Sequence, residues 1–106
     1  MSATDWTLEE QTVARHAFEL GKHRSIKTLI NTLQEQSSQL DSAESVWKLH
    51  DYLSTERYQY EGRSEFDEGN VLFVLADMIK QQLIAIDDLQ GLDQKKVSKI
   101  KAMAMF

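Results

Sequence analysis

With 106 residues the chain has room for one hydrophobic core, and with no proline, four glycines and 42% apolar residues few positions forbid helix. Seventeen Asp and Glu against twelve Lys and Arg leave a formal charge of -5, which argues against a phosphate backbone as the main partner; no nucleic-acid partner is expected. The absence of cysteine removes disulfides, thiolate metal sites and thiol nucleophiles together, and the longest apolar run, 71-VLFVLA-76, is far too short to span a membrane.

The acidic start, 1-MSATDWTLEE-10, reads as no signal peptide, so a cytoplasmic location is expected. Thr7 and Glu10 have capping-box spacing and open a helix that carries Val13, Ala14, Ala17 and Phe18, then Ile26, Leu29, Ile30 and Leu33 at helical intervals. Gly21 weakens its middle by about 1 kcal/mol relative to Ala, but one long helix ending within 34-QEQSSQ-39 is favoured. Asp41, with Glu44 three residues on, is the expected cap of a second helix.

On that second helix Val46, Leu49, Leu53 and Tyr60 make a narrow apolar seam suited to packing against another helix. Beside it Trp47, His50, Ser54 and Arg57 stack along one line, with Asp51 one turn beyond Trp47. Trp47 or His50 alone would read as packing; the cluster on one side of a helix shifts the balance only moderately towards a recognition surface. Asp51 and Arg57 lie six apart, out of register for an ordinary pair within one helix, so their pairing would require a second chain and points to a two-fold dimer.

The polar segment 61-EGRSEFDEGN-70 separates this long helical part from a smaller one. Within 71-VLFVLADMIKQQLI-84, Met78, Ile79 and Leu83 continue a helical pattern, so length favours a helix over a strand. It is expected to centre a small head packed by Leu89, Leu92, Val97, Ile100 and Met103, with Asp87 or Asp88 capping a short turn and Asp93 capping a final basic helix, 94-QKKVSKIKAMAMF-106. By pattern alone Phe73 belongs to the core and Lys99 is a solvated charge. The fold class is therefore all-α: one homodimeric domain, with a long hairpin-like stalk over residues 1–62 and a C-terminal helical head over 63–106.

An enzyme would need a nucleophile, a base and a pocket in agreement. His16, Glu19 and His23 share a helix face, but two histidines two turns apart are separated by about 10 Å and cannot ligate one metal unaided. Neither a glycine-rich phosphate loop nor a nucleophile elbow is present, so no catalytic residue, metal or cofactor is expected.

The runs 47-WKLHDYLSTER-57, 71-VLFVLADMIKQQL-83 and 98-SKIKAM-103 resemble the fluorescence recovery proteins of cyanobacteria, small helical dimers; Tyr52, in place of a typical Phe, departs from that pattern. The resemblance implies binding to the photoactivated orange carotenoid protein, its detachment from the phycobilisome, and its faster return from red to orange, which ends thermal dissipation of antenna energy. It also implies that Trp47, His50, Asp51 and Arg57 belong to a motif surface around the dimer interface that serves activity, that Phe73 and Lys99 are functional positions in the head, and that Ile30 and Val46 line the dimer interface. On that basis these six motif and head residues are expected to bind the partner, and the seam residues Leu49 and Leu53 to join the interface. A cytoplasmic protein, peripheral at thylakoid membranes near phycobilisomes, is the corresponding location. The alternative is a dimeric helical interaction module of the same kind whose partner is unrelated to light harvesting.

Overall fold

The computed structural model describes residues 6–62, 65–66 and 69–106, and every regular element among them is helical. In order they are α1 (Leu8–Ser37), α2 (Ala43–Gly62), α3 (Val71–Lys80), a 3-10 turn (Ile86–Leu89) and α4 (Gln94–Ala104). The linking segment 61–70 is described only in part, since 63–64 and 67–68 lie outside the described residues.

The start of α1 is the expected capping box: the Glu10 N–H donates to Thr7 Oγ1 at 3.0 Å, and the Thr7 N–H donates to Glu10 Oε1 at 3.1 Å. The helix continues through Gly21, which is buried. A Cβ there would fall 2.5 Å from Met78 Sδ and 3.2 Å from Ile84 Cγ2, so the glycine marks a close approach between α1 and the segment around α3.

Two helix boundaries differ from expectation. The start of α2 is capped by Ser42, not Asp41: the Ser45 N–H donates to Ser42 Oγ, and the Asp41 and Ser42 N–H groups both donate to Ser45 Oγ, each at 3.1 Å. Two short hydroxyls close this box, and Glu44 instead reaches forward to Lys48 at 3.3 Å. The helix beginning at Val71 stops at Lys80, where 71–84 was expected. Gln82 has φ 62°, the Leu83 N–H donates to Met78 O at 2.9 Å and the Gln82 N–H to Ile79 O at 3.0 Å, which together form a Schellman motif. The turn returns Leu83 and Ile84 to the core, so an apolar rhythm that reads as more helix is produced by a helix end.

Residues 6–23, 65–66 and 69–106 form one compact unit, and residues 24–62 belong to a second. The first part of α1, through His23, belongs to the same compact unit as the C-terminal helices. Phe18, Leu75, Met78, Leu89 and Ile100 are completely buried in this first unit, together with Ala14 and Ala17 from α1. Leu92 and Val97 are buried and Met103 half-buried, in keeping with the pattern of the last segments. Phe66 meets Phe18 edge-on at 5.7 Å between centroids, and the Arg15 guanidinium sits 4.4 Å over the Phe66 ring.

Candidate functional site

In the second unit α1 turns at residues 38–42 into α2, and none of the described residues 24–62 is fully buried. The expected interface residues Ile30, Val46 and Leu53 are 49%, 42% and 39% exposed, and Leu49 is half-buried. A seam of this kind leaves apolar area in water that the chain by itself does not cover. Thr32 and Gln36 of α1 face Leu49 and Tyr52 of α2 across an open cleft of about 360 Å³.

Trp47 is 63% exposed and meets the His50 ring edge-on, with centroids 6.2 Å apart. His50 Nδ1 lies 3.3 Å from Asp51 Oδ1, so these neighbours converge although adjacent helical positions diverge at the backbone. Arg57 does not need a second chain for a partner: its Nε donates to Glu61 Oε1 at 2.8 Å, one turn along the same helix. That hydrogen bond is the main reason the guanidinium pKa is raised further, keeping a permanent cation on the stripe. Glu61 escaped the sequence reading, although its spacing of four from Arg57 is a recognisable pair signal. Trp47, His50, Asp51 and Arg57 are thus displayed by one helix with their side chains largely in water.

Phe73 and Lys99 lie in the first unit. Phe73 is 67% exposed, contrary to the core position its apolar run suggests, because α3 buries Val71, Leu75, Ala76 and Met78 on its other side. Phe73, Lys99, Trp6 and Met103 line one cleft of about 240 Å³. Phe73 and Met103 also line a second, of about 320 Å³, with Lys80 and Phe106. Lys80 Nζ donates to the Phe106 carbonyl at 2.7 Å and so ties the end of α4 to α3. Lys99, a lone solvated charge by sequence, is therefore beside an exposed aromatic ring in a mainly apolar cleft.

A family model described as photoprotection regulator fluorescence recovery protein matches residues 6–104, nearly the whole chain. The chain belongs to the fluorescence recovery protein family. It is 34% identical over 99 residues to the fluorescence recovery protein of Synechocystis, spanning 93% of this chain and 91% of that one. The solved structure of the Fremyella diplosiphon fluorescence recovery protein superposes with a TM-score of 0.86 at 35% identity, covering 95% of this chain and 99% of that chain. The Synechocystis structure gives 0.85 at 34% identity with the same coverage. This family regulates photoprotection and is not a family of enzymes. Among the described residues no cluster of His, Asp and Glu is placed to hold a metal, and no helix is long and apolar enough to cross a membrane.

Proposed function

We propose that this chain binds the photoactivated orange carotenoid protein, promotes its detachment from the phycobilisome and accelerates its red-to-orange reversion, so ending non-photochemical quenching. The observation that carries this reading is the display of Trp47, His50, Asp51 and Arg57 on α2, in a fluorescence recovery protein chain whose second unit buries nothing completely. An aromatic ring and a permanent cation, exposed together, are the side chains that most often anchor protein interfaces. The half-exposed seam of Ile30, Val46, Leu49 and Leu53 supports a homodimer in which this area is covered by a second copy. Phe73 and Lys99 form the second contact for the partner. The chain acts in the cytoplasm, next to phycobilisomes at the thylakoid surface.

No chemistry by the chain is required. A catalyst of conformational recovery lowers the barrier only where it holds the transition state for reassembly of its partner more tightly than the activated state; gripping both equally would trap the partner. Two separate contacts on one protein suit that task, since each can engage a different part of the partner as those parts come together.

The test is the dark decay of a photoconverted orange carotenoid protein with and without this chain. Marked acceleration is expected, and Arg57→Leu is expected to remove most of it while leaving helix content unchanged. No acceleration with several carotenoid-protein types would reject the proposal in favour of an interaction module serving another process.

A further inference from the structure

The head contains one polar device that the partner contacts do not use. Glu10 and Lys96 are 5% and 4% exposed, and Lys96 Nζ donates to both carboxylate oxygens of Glu10, at 2.9 and 3.0 Å. The same carboxylate accepts the Asp93 N–H at 2.9 Å and the Thr7 N–H at 3.1 Å. It therefore closes the start of α1 and receives the N-cap residue of α4, whose own carboxylate makes no cap bond. Lys96 Nζ also sits 4.9 Å over the Trp6 ring.

Both ends of this device lead to the same cleft. Trp6 forms part of its wall, and Lys99, one turn after Lys96 on α4, stands in it beside Phe73. Anchoring Lys96 sets the rotation of α4 about its axis, which sets where the Lys99 ammonium is presented; the cation above Trp6 sets the tilt of the indole. An apolar pair of similar volume would hold the two helices together at least as well, because burying two charges costs most of what their attraction returns. What an ion pair adds is direction: a carboxylate accepting from three donors tolerates one arrangement of the segments that supply them.

We propose that Glu10 and Lys96 are positioning residues, which orient Trp6 and Lys99 around Phe73 so that this cleft accepts an apolar side chain flanked by a carboxylate from the partner. The chemistry of the occupant follows from an apolar cleft with an ammonium at its edge. This inference rests on the partner contact at Phe73 and Lys99.

The deciding variant is Glu10→Gln combined with Lys96→Met, which removes both buried charges together while shortening only the lysine side chain, by one atom. The intact chain and the variant are compared by circular dichroism, by the two indole N–H resonances, and by recovery of the photoconverted orange carotenoid protein. The expected result is unchanged helix content, a shifted Trp6 indole resonance with that of Trp47 unmoved, and acceleration reduced roughly fivefold or more through lost orientation. Unmoved indole signals with full acceleration would overturn the proposal. Loss of helix content would also overturn it, since the pair would then be a strut of the fold. If the unsubstituted chain accelerates nothing, the proposed function fails, and the Trp6 resonance, read without any partner, still decides whether the pair positions the cleft wall.

Discussion

Residues 24–62 and the unit built from 6–23, 65–66 and 69–106 use similar apolar residues to opposite effect. In the larger unit Phe18, Leu75, Met78, Leu89 and Ile100 lose all contact with water, and a buried ion pair is saturated with donors. In the smaller one Val46, Leu53, Ile30 and Trp47 all keep more than a third of their surface exposed. Two helices side by side cannot enclose a residue between them, whereas three helices, a turn and a returning loop can. One region thus encloses a core of its own, while the other leaves apolar area that the chain by itself does not cover.

The sharpest break of that contrast is a pair of truncations. Phe18→Ala should cost about 3–5 kcal/mol of unfolding free energy at any protein concentration, as a cavity in a closed core does. Leu53→Ala should cost about 0.5 kcal/mol or less in dilute solution, where its surface is already partly wet, and show its effect as weaker self-association. Denaturant unfolding with sedimentation equilibrium over a range of concentrations reads both. Equal losses from the two variants would mean that the second unit has a core of its own.

Acid should act on the first unit. The Asp93 N–H, then Lys96 and then the Thr7 N–H hold the Glu10 pKa at about 2, below its ordinary 4.5. The folded-state value is depressed, so the stabilisation is fully present above 4.5 and is lost as pH falls from there towards 2. Glu10→Gln should flatten that part of the profile of thermal stability against pH; an unchanged slope would show that other carboxylates govern acid unfolding.

Gly21→Ala opposes local preference to packing. Helix propensity alone favours Ala by about 1 kcal/mol, but its Cβ would meet Met78 and Ile84 in a filled core, so a net loss of about 1–2 kcal/mol is expected. The last variant is a gain: Gln82→Gly relieves a left-handed residue at the end of α3 and should stabilise the head by about 1 kcal/mol. Thermal melts of both variants check the two signs.

Much of this was legible in the order of residues. The Thr7 and Glu10 box, the continuity of α1 and the burial of Leu89, Leu92, Val97 and Ile100 follow from spacing and chain-local hydrogen bonds, and all are present. The stripe on α2 was visible for the same reason, since residues three and four apart on a helix are neighbours whatever surrounds them. The end of α3 was not, because Gln82 carries no sign of the left-handed conformation that a glycine would have announced. Phe73 was placed in the core by an apolar run whose inner side only the packing of α4 and α1 could select.

The sequence by itself determined the all-helical class, the starts of the helices to within a residue or two and the membership of the α2 stripe, because these depend on interactions within a few positions. Tertiary structure alone decided that the first part of α1 belongs with the head, that Glu10 joins Lys96 across 86 positions, and that Phe73 and Lys99 meet at one cleft. Those facts require distant segments to be brought together, and the free energy that does so comes from a core no single stretch of the chain contains.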